Sequence, residues 1–264
     1  MIPRILMLVA PFAAAAEAGA ATDTREYDVR VRGTALAVIA RQGPGGMEAE
    51  AETRPRDASA RLRVASGDSA GMRTFSIPLD TLALPAPATP PNAQVRGHEN
   101  ASGSTWQGAI PAAGTPVQLS ATGPASARLL DETILLLFPE LPAPAAPGAV
   151  WADTTRFELG AGTSRVSGRT VSDYRVTGGD AQNGFQVERT FRGERTSRVS
   201  TPDGELLIET RVRGTAAYTL DERGGVESVR IVRDLASDMH LPQLDGPLSG
   251  ETSDTIEVRR SPTP

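Results

Sequence analysis

Polar and apolar residues alternate along much of this chain with a period of two. The clearest run is Leu206 to Leu220. Leu206, Ile208, Thr210, Val212, Gly214, Ala216, Tyr218 and Leu220 share one phase, and Glu209, Arg211, Arg213, Thr215 and Thr219 the other. Successive side chains of an extended strand point to opposite faces, so this pattern predicts a strand with one face buried. Gly214 falls in mid-run, where a bend or bulge is expected. Pro202-Asp203-Gly204 marks a turn before it.

The neighbouring segments repeat the scheme. Arg169 to Thr177 carries Tyr174 and Val176, and Gly178 to Gly184 reads as a loop. Phe185 to Arg192 follows, with Phe185, Val187 and Phe191 in one phase. Asp221 to Gly225 is a turn into Val226 to Asp234, and Ile256 and Val258 mark a last strand. Near the start, Tyr27, Val29, Val31, Gly33, Ala35, Ala37 and Ile39 share a phase, and Gly43-Pro44-Gly45-Gly46 ends the run. Glu48, Glu50 and Glu52 then alternate with Met47, Ala49 and Ala51. After Arg54 to Ser59, Arg61 and Arg63 alternate with Leu62 and Val64. Taken as two strands, these segments set glutamates opposite arginines, a solvated ladder rather than a cation site. Consecutive strands joined by short turns form an antiparallel meander.

Two features interrupt the alternation. Leu82 to Pro91 is a proline-rich loop or extended linker. Ser126 to Phe138 is the most apolar stretch after the N-terminus and the best helix candidate, ended by Pro139 and Pro142. The expectation for it is a core helix plugging a curved sheet, with a lipid-facing lid as the alternative. The fold class is therefore mainly β: a long-stranded, curved antiparallel sheet, half-barrel-like, with one short helix near Ala127 to Phe138. It is a single domain over 21–264, or two β-halves of about 21–125 and 148–260. The hexapeptide Arg30-Val31-Arg32-Gly33-Thr34-Ala35 recurs at Arg211-Val212-Arg213-Gly214-Thr215-Ala216. In a chain rich in arginine and alanine, coincidence is the economical reading of one short repeat.

Composition narrows the chemistry. All 27 basic residues are arginine, which removes lysine-dependent sites such as a P-loop or a Schiff base. Cysteine is absent, so disulfides, thiol nucleophiles and cysteine metal sites are excluded. The net charge of −5 argues against a nucleic-acid partner. Arg4, the apolar run Ile5 to Ala16 and Ala18-Gly19-Ala20 read as a signal peptide over 1–20, with cleavage near Ala20/Ala21 and a periplasmic or secreted destination. No later segment is long enough to cross a bilayer as a helix.

Catalytic motifs are poorly supported. Gly67-Asp68-Ser69-Ala70-Gly71 fits a serine-hydrolase elbow in letters, but the elbow needs a helix after it, and Met72 to Pro78 reads as a strand. His98 and His240 are too few for a zinc site. Asp180 and Asn183 lack calcium-loop spacing. No cofactor is implied. Arg189 is the odd member of the phase Phe185, Val187, Arg189, Phe191. An inward charge must pair, reach solvent or meet an anionic ligand.

Leu137-Phe138-Pro139-Glu140-Leu141-Pro142, then Pro147-Gly148-Ala149-Val150-Trp151, and later Gly214 to Gly224 (GTAAYTLDERG), resemble a pattern in uncharacterised exported bacterial proteins. The resemblance covers roughly half the chain, and Ala149 stands where the pattern has aspartate. In outline such proteins are similar to half-barrel lipoprotein carriers of the bacterial envelope, in which a curved sheet wraps a helix or an acyl chain. The resemblance implies an apolar-ligand role by fold analogy and transfers no site residue.

The leading expectation is an exported binding protein, not an enzyme. Its concave sheet face holds an apolar or amphipathic molecule, with Phe185, Val187, Arg189, Leu206, Ile208, Val212 and Tyr218 as the candidate lining. A structural module docking an envelope protein is second, and a secreted hydrolase third.

Overall fold

The computed structural model describes residues 23–43, 46–69, 72–83, 103–111, 117–122, 130, 133–134, 137–139, 146–161, 164–180, 182–201, 204–242, 244 and 246–262. The expected leader, most of the proline-rich stretch and His98 lie outside them. The strands are β1 (Asp23–Gly43), β2 (Gly46–Ser69), β3 (Met72–Ala83), β4 (Thr105–Pro111), β5 (Val117–Thr122), β6 (Val150–Ala161), β7 (Ser164–Asp180), β8 (Gly184–Thr201), β9 (Gly204–Leu220), β10 (Val226–His240) and β11 (Leu248–Arg260).

The protein is mainly β, built on one sheet. Antiparallel pairing runs without a break from β6 through β7, β8, β9, β10, β11, β1, β2, β3 and β4 to β5. The two ends meet along a parallel ladder of four residue pairs, Val117 to Ser120 beside Phe157 to Gly160, which brings the strand order round on itself. The expected half-barrel thus curls further than alternation alone indicates. Strands of the two suggested halves pair at β1–β11 and β5–β6, within one sheet.

Local chemistry sets the turns. In the β7–β8 turn, Asp180 Oδ1 accepts from the backbone N–H groups of Gln182 and Asn183, both at 2.8 Å, and Gly184 follows at φ 80°. In the β9–β10 turn, Asp221 Oδ1 accepts from the N–H of Arg223 and of Gly225. Gly224 there has φ 78°, a conformation that costs glycine little.

Two sequence expectations need correction. Residues 46–69 form one strand, so the glutamates and Arg61 and Arg63 lie along β2 and do not face each other. The glutamates pair with β1, where Glu50 meets Ile39 and Glu52 meets Ala37. Pro55 is compatible with β2, because β3 begins to pair only at Ser59 and no described strand lies along that edge to ask an N–H of it. The bulge expected at Gly214 is also absent, since the register runs unshifted through it on both sides. Register shifts fall instead at Arg61/Leu62, Val176/Gly178 and Val226/Ser228.

The bounds of the expected helix lie outside the described residues. Within that stretch, Thr133 and Ile134 have helical backbone, and Leu130, Ile134 and Leu137 are buried in the core cluster.

Candidate functional site

The inner face of the sheet has three levels. The top, at the end bearing the β7–β8 and β9–β10 turns, is densely packed except for a cavity of about 270 Å³ lined by Tyr27, Val64, Leu137, Phe138 and Val226. Leu62, Ile77, Trp106 and Val226 are 0% exposed there, and the Tyr27 hydroxyl donates to the Val226 carbonyl at 3.0 Å. Phe185, Val187 and Tyr218, three of the candidate lining residues, are buried in this level.

A polar belt lies below. Asp153, Ser172, Phe191, Gly214, Arg233, Asp254, Gly33 and Arg56 stand side by side on β6, β7, β8, β9, β10, β11, β1 and β2. Asp254 is 4% exposed and accepts from Arg233 through both carboxylate oxygens, at 2.7 and 3.0 Å. Arg56 reaches the same carboxylate at 2.7 Å. This buried cluster is flanked by two glycines for a steric reason. A Cβ on Gly33 would lie 2.6 Å from Asp254 Cα, and one on Gly214 would lie 2.9 Å from Arg233 Cβ and 2.7 Å from the Phe191 ring. Those glycines are the matching members of the repeated hexapeptide. The two copies therefore embrace the β10–β11 hairpin, one on each side, at the level of its ion pair.

Arg189 is the second buried cation, 7% exposed, one position above the belt on β8. Its Nε and Nη2 both donate to the Ser172 hydroxyl, at 3.0 and 2.8 Å, and its Nη1 meets the Tyr218 hydroxyl at 3.4 Å. The guanidinium carbon lies 4.8 Å from the Phe191 ring centre and 5.5 Å from that of Tyr174. On its far side Tyr174 stacks on Trp151, with ring centres 4.8 Å apart. Burial pushes the Tyr174 phenol up to about 12, so it stays neutral at ordinary pH. Among the described residues no carboxylate pairs with Arg189. Hydroxyls and π faces carry its charge.

Below the belt the inner face is aliphatic but incompletely covered. Leu235 and Met239 on β10 are buried there, while Leu206, Ile208 and Val212 on β9 and Val166 on β7 are half-buried. The Thr210 and Ser237 hydroxyls bond to each other at 3.0 Å. Here β1 leaves β11. Backbone pairing stops at Gly33, and the Thr34 hydroxyl takes over, accepting from Ser253 N–H at 3.1 Å and meeting the Ser253 carbonyl at 3.4 Å. Beyond that point β1 and the facing part of β2 continue as a two-stranded ribbon, with Leu36 lying over Gly250.

Other motifs resolve simply. Ser69 ends β2 and Met72 opens β3, so a strand follows the Gly-x-Ser-x-Gly letters where an elbow needs a helix. His240 is paired with Glu209 at 3.5 Å. Asp180 serves its turn. Among the described residues no His, Cys, Asp and Glu group fits a metal. Sequence reasoning missed Arg56, Arg233, Asp254, Ser172 and Trp151. Its one available signal was the inward phase of Arg56 and Asp254, shared with Ala58 and Ile256.

The outer face is charged. Arg30 pairs with Asp57 at 3.0 Å, Arg61 with Asp28 at 3.1 Å, Arg198 with Glu205 at 2.8 Å and Arg213 with Asp234 at 3.4 Å. A membrane barrel needs an outward apolar band about 25 Å tall, and these strands present arginines and carboxylates instead. No family model, curated protein or solved structure matches this chain.

Proposed function

We propose that this chain is an exported envelope protein, released to the periplasm or medium after loss of its leader. It binds rather than transforms its ligand, an amphipathic molecule whose apolar part lies on the inner sheet face against Leu206, Ile208 and Val212. The observation that carries this reading is the contrast between the ends of the interior. Most of the top is filled by side chains, while the bottom keeps Leu206, Ile208 and Val212 turned inward and half-covered, inside a charged exterior suited to water. Inward apolar surface left partly open is what an apolar ligand covers.

Native mass spectrometry of protein taken from its cell envelope, with displacement of a fluorescent amphiphile, tests the reading. A bound amphiphile is expected, with at least tenfold weaker probe binding in Ile208→Asp while the β circular-dichroism signal persists. Folded protein that carries no adduct and binds no amphiphile would falsify it. A second reading, a module that docks an envelope protein, is favoured by the β1–β2 ribbon, whose edges past Gly33 and before Ser59 have no neighbouring strand among the described residues. Such edges accept an added strand.

A further inference from the structure

We infer that the ligand's polar end is a carboxylate seated on Arg189 and the Tyr218 hydroxyl, with the tail running down β9 past Val212 towards Ile208. The inference rests on the amphiphile reading above and adds the head-group chemistry. A guanidinium has five N–H donors. Ser172 accepts two of these bonds, which uses both lone pairs of its hydroxyl, and Tyr218 takes a third at 3.4 Å, near the limit of a hydrogen bond. Two N–H groups remain in a buried site with no acceptor among the described residues. A buried donor without an acceptor is costly, and Asp153 offsets the buried charge only from the neighbouring row.

A carboxylate meets both needs. Its two oxygens match the planar fork of Nη1 and Nη2, and the Tyr218 hydroxyl turns from a distant acceptor into a donor towards it. The charge balance selects a monoanion. Arg189 is one cation, and Asp153 on β6 stands in the neighbouring row beside Ser172, where it already contributes negative potential. A phosphate dianion would add more negative charge than this site offsets. The other belt cations, Arg233 and Arg56, are engaged by Asp254. The order of residues down β9 then fixes the tail. Val212 lies four positions below Ala216, the partner of Arg189, and Ile208 eight below, about 27 Å at the usual strand rise.

Calorimetric titration of the mature chain with palmitate, methyl palmitate and hexadecyl phosphate at neutral pH tests this. Palmitate is expected to bind at least tenfold more tightly than the methyl ester and than the phosphate. Arg189→Met should bring palmitate down to the affinity of the ester and leave the ester unchanged, since methionine fills a similar volume. Tyr218→Phe should weaken palmitate severalfold and spare the ester, and it serves where Arg189→Met does not fold. Equal binding of acid and ester by the unaltered protein overturns the head-group assignment and leaves the amphiphile reading standing. So does an acid preference that survives both substitutions. Binding of none of the three sinks the amphiphile reading itself.

Discussion

At the scale of single residues, the buried carboxylate of Asp254 has the largest structural consequence. It holds Arg233 through two contacts and Arg56 through a third. Removing one partner of a buried ion pair leaves the other charge desolvated without compensation, typically at about 3–5 kcal/mol. Asp254→Asn should therefore lower the urea midpoint by that amount of stability with the slope of the transition unchanged. A midpoint shift of less than about 1 kcal/mol would mean that Arg233 finds another acceptor. Gly33 and Gly214 belong to the same cluster. They leave room for the backbone and side-chain atoms of Asp254 and Arg233, which a β-carbon would displace.

At the scale of elements, the β1–β2 hairpin changes character along its length. Up to Gly33, β1 lies between β2 and β11. Past the Thr34 clamp, β2 is its one paired strand among the described residues. A two-stranded ribbon is marginally stable in water, and its amides open without the rest of the sheet. In hydrogen exchange, the Leu36 to Gln42 amides should lose protection well before those of Val29 and Val31. Thr34→Val should carry the fast zone back towards Gly33. Uniform protection along β1 would show that the ribbon is held by more than its partner strand. This hairpin also explains why Pro55 is tolerated, since no described strand lies beside that edge before Ser59 to accept the N–H that proline lacks.

For the whole molecule, closure rests on unequal joints. Long antiparallel ladders carry most of the ring, and the β5–β6 seam is four residue pairs in the parallel sense. Parallel pairing is slightly weaker per residue, and a short ladder adds few bonds. The seam should therefore open first, and the amides of Leu119 and Ser120 should exchange faster than those of Val187 and Tyr218 in native-state hydrogen exchange. The reverse order would place the weak joint elsewhere. The charged outer face and the aliphatic lower interior belong to this scale too, because they exist only once the sheet has curled and given each strand an inside.

Alternation alone settled that the chain is β, where most strands lie and which phase faces inward, because a period of two maps directly onto the two faces of a sheet. Tyr27, Val29, Val31, Val187 and Tyr218 needed no coordinates to be placed inside. The apolar spacing of Leu130, Ile134 and Leu137 likewise marked a face that had to be covered. What required the folded molecule were relations between distant segments. That β5 meets β6, that Arg56, Arg233 and Asp254 converge, and that two copies of one hexapeptide flank the same hairpin all depend on register between strands far apart in the chain. Local periodicity carries no record of register, so the partners of Arg189 and the emptier end of the interior became visible only when the strands were laid side by side.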